Sequence, residues 1–285
     1  MEWQWPVGAV LAFLLALMTT PAGVSGAVLL LPIQLSVLDV PSPSVTPTNL
    51  LFNVAATPGG LLRFAREHRL NGPLTRLLVA GTLPGVIAGA IIRVELFSGS
   101  RSFSVIAALV LLPLGLWLLL GAQNLARPRP EPTRRHQRVT WLIALAVGTV
   151  GGIYGIGGGS ILAPILIAIG YSVYEVAPAT LAATFLTSVA GIATYQVLQL
   201  THHGPIAPQW ILGAFLGAGG FLGSYCGARL QHRLPETSLR RLLGLIACLI
   251  AARYLQAAAT DPGQRRDARA AAARLELPPR SATLA

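Results

Sequence analysis

Glycines interrupt an otherwise apolar stretch between Gly151 and Gly170, which reads GGIYGIGGGSILAPILIAIG. Glycine destabilises a helix interior by about 1 kcal/mol relative to alanine, so the triple glycine at 157–159 predicts a break in the helix. The residues after such a break begin a new half-helix, whose free N–H groups and positive dipole end attract anions. The chemistry that this stretch favours is therefore the binding of a small anion.

The apolar run begins at Trp141, and we predict two half-helices over 141–153 and 160–170. Ser160 follows the last glycine, where its hydroxyl is expected to cap the second half-helix. Irregular backbone at membrane depth is tolerated only where protein or a water-filled cavity satisfies its polar groups. We expect backbone N–H groups to bind the anion at this break, which is lined by Tyr154, Gly157, Gly158, Gly159 and Ser160.

The glycines allow two other interpretations, phosphate binding in a soluble fold and close packing of helices. Phosphate-binding glycine loops follow a β-strand and lead into a Lys-Ser or Lys-Thr pair, and these glycines are followed by no such pair. Glycines also permit close packing of membrane helices. The packing interpretation stays open at this point.

The composition indicates an all-α, polytopic membrane protein. The 285 residues are 53% hydrophobic and only 11% charged, with a mean hydropathy of +0.64. Every basic residue is an arginine, and the arginines lie between apolar runs, so the net charge of +11 does not indicate binding to nucleic acid. Cys226 and Cys248 both fall in apolar runs. We expect no metal site, no cofactor and no catalytic residues.

The first apolar region, from Val7 to about Leu38, resembles a second copy of the glycine stretch. Aligning Pro32 with Pro164 superposes Gly23 on Gly155 and Gly26 on Gly158, at an offset of 132 residues. A slip of one residue extends the match to polar positions within apolar runs, which pair Asn49 with Thr180, Asn53 with Thr184 and Thr57 with Ser188. The sequence therefore predicts an internal duplication. The N-terminal run lacks the basic flank of a signal peptide, and we expect it to belong to the mature protein.

The duplication predicts four parts: a first membrane repeat (1–121), a basic, proline-rich linker (122–139), a second membrane repeat (140–258) and a tail rich in arginine and alanine (259–285). Each repeat holds one broken segment and three full ones, predicted at about 44–63, 74–93, 103–121, 175–200, 207–228 and 239–258. The broken segments either cross the membrane or re-enter. Re-entry places nearly all short-loop arginines on one face, so we expect two repeats of inverted topology with re-entrant broken helices.

The motif GxYGIGGGxxxxPxLxxxG, together with PAGVSGAxLLLPxQ near the N-terminus, resembles the sulfite exporter TauE/SafE family of membrane permeases. The resemblance covers about residues 7–258. It implies transport of sulfite, sulfonates or related organosulfur anions across the cytoplasmic membrane, in some members coupled to protons. The first-half motif departs from the glycine triple, with Val24 and Ser25 before Gly26, so no particular substrate is carried over.

We expect substrate contacts at both breaks and on the long helices beside them. At the first break the candidates are Gly23, Ser25 and Gly26; on the helices they are Asn49, Asn53, Thr180, Thr184 and Ser188, for which interhelical hydrogen bonding is an equal alternative. His202 and His203 are expected in an exposed loop. The predicted function is a multi-pass permease of the cell membrane for a small anion. The alternatives are an anion channel and a membrane scaffold that transports nothing; the oligomeric state stays open.

Overall fold

The computed structural model describes residues 4–38, 40, 42–70, 72–95, 112–113, 115–116, 119–120, 133–201 and 207–259. Within those ranges the regular structure is helical, without a strand. The helices are α1 (Gln4–Thr19), α2 (Ala27–Ser36), α3 (Ser42–Arg66), α4 (Pro73–Glu95), α5 (Arg134–Tyr154), α6 (Gly158–Ile169), α7 (Val173–Thr201), α8 (Trp210–Leu230) and α9 (Glu236–Ala259). Most of the segment predicted at 103–121, most of the linker, His202, His203 and nearly all of the tail lie outside the described residues.

Both predicted breaks are present, although their edges differ from the prediction. The first consists of a short 3-10 turn, Thr20–Ala22, and the residues up to Gly26. The second spans Gly155 to Gly157, between α5 and α6. Helix α5 begins at Arg134, within the predicted linker, because Thr133 caps it by accepting a hydrogen bond from the His136 N–H.

The prediction that Ser160 caps the second half-helix is wrong. Helix α6 already begins at Gly158, and Gly157 occupies the N-cap position without a side-chain hydrogen bond. The Ser160 hydroxyl instead donates to the Ile156 carbonyl at 3.2 Å. The early start is possible because the glycines adopt helical backbone where the helix is closely surrounded by protein.

Each broken segment folds back towards the side from which it enters. In the second, His136 Nε2 near the start of α5 lies 3.0 Å from the hydroxyl of Tyr171, just beyond α6. In the first, a Cβ built on Gly8 in α1 would lie 3.6 Å from the Leu38 side chain beyond α2. We call α1–α2 the first hairpin and α5–α6 the second hairpin, with their tips at the breaks.

Loops that a crossing arrangement would separate lie together. Arg69, after α3, donates to Gln231 Oε1 at 3.0 Å and to the carbonyl of Tyr174. Nearby, His232 Nε2 lies 2.5 Å from Glu67 Oε2. The ends of α3 and α8 and the start of α7 therefore share one side of the protein. This agrees with the re-entrant arrangement and not with crossing.

The two hairpins open towards opposite sides. A Cβ on Gly8, at the open end of the first hairpin, would lie 3.7 Å from Leu212 near the start of α8. Tyr174 lies beside the open end of the second hairpin, and its hydroxyl donates a hydrogen bond to the carbonyl of Leu234, beyond the end of α8. The hairpins therefore enter from opposite ends of α8 and meet at their tips.

Small residues let the helices approach closely. A Cβ on Gly227 of α8 would lie 2.7 Å from the Leu17 carbonyl oxygen in α1, and one on Gly81 of α4 would lie 2.8 Å from the Trp141 carbonyl oxygen in α5. Close backbone approach of this kind is characteristic of membrane helix pairs. The packing interpretation of glycine is thus correct for these helices.

In the described part of the chain, four helical stretches are long and apolar enough to span a membrane: Gln4–Ala22, Pro73–Glu95, Val173–Leu200 and Trp210–Arg233. Large apolar side chains also point outward, among them Leu200, which is 86% exposed, and Val197, which is 63% exposed. Exposed apolar surface of this extent suits lipid rather than water. The prediction of an all-α, polytopic membrane protein is confirmed.

Because the ends of α3 and α8 lie on one side of the protein, cysteines placed just beyond them should react alike with a thiol reagent. In a background without Cys226 and Cys248, cysteines introduced as Leu70→Cys and Glu236→Cys should show the same accessibility to an impermeant thiol reagent in intact cells. Val37→Cys, beyond α2, should show the opposite accessibility. Opposite labelling of positions 70 and 236 would contradict the re-entrant arrangement.

The cluster around Glu67 predicts a pH-dependent stability. Burial raises the pKa of Glu67. Hydrogen bonds from His232 and Arg69 and the charges of His232 and Arg63 lower the pKa by more than burial raises it, so it is below the ordinary value of 4.5. The ionised carboxylate therefore stabilises the fold above about that pH and loses this contribution as the pH falls. Glu67→Gln should lower the Tm in detergent at pH 7 by roughly 2–4 °C, which corresponds to a loss of about 1 kcal/mol in the free energy of unfolding.

The difference in Tm between wild type and Glu67→Gln should shrink as the pH falls below about 4.5, the ordinary value for the carboxyl. A difference that is unchanged between pH 7 and the acid end of the range would contradict the assigned role of Glu67.

Candidate functional site

The tips of the two hairpins are joined by buried polar groups. The Ser25 N–H donates to Ser160 Oγ at 3.1 Å, and the Ser25 hydroxyl donates to Asn53 Oδ1. Asn53 Nδ2 in turn reaches the Gly155 carbonyl at 3.5 Å. Asn53 is fully buried, and both serines are nearly so. Residues predicted from separate halves of the sequence thus form one polar centre in the interior.

The two breaks have the same backbone conformation at the glycines that the alignment paired. Gly23 has φ +78° and Gly155 has φ +67°, a left-handed conformation that favours glycine, and each ends a helical turn. The Gly23 carbonyl accepts a hydrogen bond from Thr180 Oγ1 at 2.8 Å, as the Gly155 carbonyl does from Asn53. Each break is therefore bonded to a long helix from the other half. This agrees with the alignment, while the duplication itself stays a prediction.

The hydroxyl groups along α7 fall into two classes. Thr187 and Thr194 each donate to the carbonyl four residues earlier, at 2.6 and 2.8 Å, and Thr180 shares its one hydroxyl proton between the Gly23 and Val176 carbonyls, each at 2.8 Å. Thr184 and Ser188 are fully buried, and their hydroxyl oxygens have no hydrogen-bond partner in the part of the chain that the structure describes. A buried polar group without a partner costs about 1–3 kcal/mol. These two hydroxyls are thus available to a ligand.

Thr184 and Ser188 face the second break. A Cβ built on Gly157 would lie 2.7 Å from Thr184 Cγ2, 3.3 Å from Ser188 Oγ and 3.4 Å from Asn53 Nδ2. Ser188 and Asn53 therefore turn polar atoms towards the glycine at the N-terminus of α6, whereas Thr184 turns its methyl group there and its hydroxyl towards Gly159. We call Asn53, Thr184, Ser188 and Gly157 the tip cluster.

The remaining glycines of the breaks pack tightly, as the alternative interpretation proposed. A Cβ on Gly158 would lie 2.8 Å from Thr82 Cγ2, and one on Gly159 would lie 2.5 Å from Thr184 Oγ1. At the first break, a Cβ on Gly26 would lie 3.2 Å from the Ala16 nitrogen. Close packing therefore accounts for these three glycines, whatever else they do.

Two of the N–H groups expected to bind the anion already have partners. The Ser25 N–H donates to Ser160, and the Gly158 N–H donates to Thr187 Oγ1 at 3.4 Å. Ser25 Oγ also accepts a hydrogen bond from the Ala27 N–H at 3.2 Å, although Gly26 occupies the N-cap position of α2. Side-chain hydroxyl and amide groups are consequently at least as important to this centre as the backbone.

Asn49 and Tyr154 lie at the edge of the centre. Asn49 is fully buried, and it donates to the Ala27 carbonyl at 3.0 Å and accepts from Gln34 at 2.9 Å, both in the first hairpin. Tyr154 is buried at the end of α5. Sequence reasoning missed Gln34 and Thr187, although Gln34 ends the first-half motif and both are polar residues within apolar helices, which was the available signal.

Charged groups are absent from the centre as far as the described residues show. Asn53, Thr180, Thr184 and Ser188 are neutral, and the arginines with described contacts nearby, such as Arg69, belong to the loop cluster at one side. No group of three or more His, Cys, Asp or Glu side chains that could hold a metal occurs among the described residues. Any ligand charge at the centre must be balanced by neutral donors and helix dipoles.

Comparison with known proteins identifies the family. The model of the sulfite exporter TauE/SafE family matches residues 8–254. A relative from Bacillus subtilis (strain 168), described as a probable membrane transporter protein, YunE, is 25% identical over 253 residues, which cover 80% of this chain and 89% of the relative. No solved structure matches significantly. With these helices and hairpins, the match over nearly the whole chain shows that the protein belongs to the sulfite exporter TauE/SafE family and is a multi-pass transporter of the cell membrane.

Proposed function

We propose that the protein is a secondary transporter that moves a small anion, either sulfite, a sulfonate or a related organosulfur anion, across the cell membrane. The observation that carries the proposal is the pair of buried residues Thr184 and Ser188, near where the two hairpin tips meet, whose hydroxyls have no partner among the described residues. The family supports membrane transport, and the chemistry of the tip cluster supports an anion.

The donors of the tip cluster suit an oxyanion. A sulfonate or sulfite presents several acceptor oxygens, which can receive hydrogen bonds from the Thr184 and Ser188 hydroxyls and from Asn53 Nδ2. The N-terminus of α6 adds a positive dipole end, which contributes about 0.3–1 kcal/mol, or up to ~2 kcal/mol when partly buried. With no cation assigned to the centre, we expect a Kd in the micromolar range or weaker.

The arrangement of the hairpins favours a transporter over a channel. Two hairpins that enter from opposite sides and meet near the middle match the inverted arrangement of many secondary transporters, which hold substrate between broken helices. In the described conformation the tips are in direct contact through Ser25 and Ser160. A substrate at this point is shielded from both sides, and conduction through an open filter is not favoured.

The assignment of the hydroxyls predicts the effect of removing them. Thr184→Val and Ser188→Ala should each weaken sulfite or sulfonate binding about fivefold to tenfold, the effect of one hydrogen bond of about 1–1.5 kcal/mol. Calorimetry on purified protein and uptake into proteoliposomes measure this. Without ligand, the Tm of both variants should be equal to or higher than that of wild type, since an unbonded buried hydroxyl has been removed.

Thr194→Val is the matched control, because Thr194 lies further along α7 and already donates to the Ala190 carbonyl. It should leave binding unchanged. Wild-type affinity in Thr184→Val and Ser188→Ala would show that the ligand does not bind at the tip cluster. Rapid, uncoupled flux of the anion without saturation would favour the channel instead.

Charge at the tips provides an independent test. Ser160 lies between the hairpins and accepts the Ser25 N–H, so Ser160→Asp would place a carboxylate beside the bound anion. We expect Ser160→Asp to abolish measurable binding and Ser160→Asn, its neutral counterpart of similar shape, to retain it with reduced affinity. If the aspartate variant binds sulfite as well as the asparagine variant does, the anion lies elsewhere.

A further inference from the structure

Gln34 is a second buried polar side chain with an unused hydrogen-bonding atom. It belongs to α2 and is fully buried, and its Nε2 donates to Asn49 Oδ1 at 2.9 Å. Its Oε1 has no hydrogen-bond partner among the described residues. Because this amide lies beside the first hairpin, it is separate from the Thr184 and Ser188 hydroxyls of α7.

The orientation of the Gln34 amide is fixed by its neighbours. The Ala27 carbonyl can only accept, so the group of Asn49 that meets it, at 3.0 Å, must be the Nδ2 donor. Asn49 therefore turns its oxygen towards Gln34, and only the Nε2 group of Gln34 can bond to that oxygen. Reversing the Gln34 amide would oppose two oxygens. The free atom is consequently an acceptor, and it requires a donor.

Gln34 is within reach of the anion position. Asn49 and Asn53 are four residues apart on one face of α3, a rise of roughly 6 Å. Asn53 belongs to the tip cluster, whereas Asn49 holds Gln34. Gln34 is therefore bonded to a residue about one helical turn from Asn53 of the tip cluster. A short-chain ligand can extend from one position to the other.

We propose that Gln34 Oε1 is a specificity-determining acceptor for the substrate: it binds a hydroxyl or ammonium group carried at the far end of a short-chain sulfonate. This inference rests on the proposed function, since it assumes that the sulfonate occupies the tip cluster. The two positions are complementary in chemistry, with donors for the anionic end and an acceptor for the end that carries O–H or N–H. A substrate that bears both ends can bond to the Thr184 and Ser188 hydroxyls and to Gln34 Oε1 at once.

Two sulfonates of equal charge and chain length test the inference. Wild-type protein should bind 2-hydroxyethanesulfonate about tenfold more tightly than ethanesulfonate, as measured by calorimetry on the purified full-length chain. Gln34→Met keeps the length and shape of the side chain but removes the acceptor. In this variant the preference should fall to near one, through weaker binding of 2-hydroxyethanesulfonate alone, while binding of ethanesulfonate stays unchanged.

Gln196→Met, near the end of α7, is the matched control and should retain the wild-type preference. Equal binding of the two sulfonates by wild type, or an unchanged preference in Gln34→Met, would overturn the role of Gln34 while leaving the proposed function intact. If wild type binds neither sulfonate nor sulfite, the proposed function fails as well. Should Gln34→Met fold poorly by size-exclusion chromatography, Gln34→Ala and the wild-type comparison give the same decision.

Discussion

The structure depends on satisfying backbone polar groups where two helices are broken in an apolar interior. Lipid offers no hydrogen bonds, so every carbonyl and N–H exposed by a break must find a partner within the protein. Here the Gly23 carbonyl is bonded by Thr180 and the Gly155 carbonyl by Asn53, while Ser160 accepts the Ser25 N–H. Because each break is satisfied from the other half of the chain, neither hairpin tip can form its observed contacts alone.

The glycines serve two different physical purposes in this fold. Gly23 and Gly155 are required by backbone conformation, since both lie in the left-handed region. Others, such as Gly81 and Gly227, are required by space, since a Cβ would collide with the neighbouring helix. The same residue type therefore supported two interpretations of the sequence, and each is correct at different positions. A single explanation for the glycine-rich stretch would have been incomplete.

Composition and glycine spacing were enough to predict the membrane class, both breaks and the long helices in the described part of the chain. The start of α5 was missed because Thr133 caps a helix in a segment whose prolines and arginines suggested a linker. The role of Ser160 was missed because its partner, Ser25, lies 135 positions away in the chain. Which hydroxyls of α7 lack a partner depends on local geometry that sequence does not contain. Thr184 and Thr187 look alike in sequence but differ in their hydrogen bonds.

The bond from Gln231 to the first hairpin has a mechanical consequence. Gln231 Nε2 donates to the Pro21 carbonyl at 2.8 Å, and its Oε1 accepts from Arg69. The tip of the first hairpin is thereby tethered to the ends of α3 and α8, whereas the second hairpin packs along α4. Separation of the tips would break the Ser25–Ser160 and Asn53–Gly155 hydrogen bonds, while Gln231 would keep the first hairpin bonded to the ends of α3 and α8.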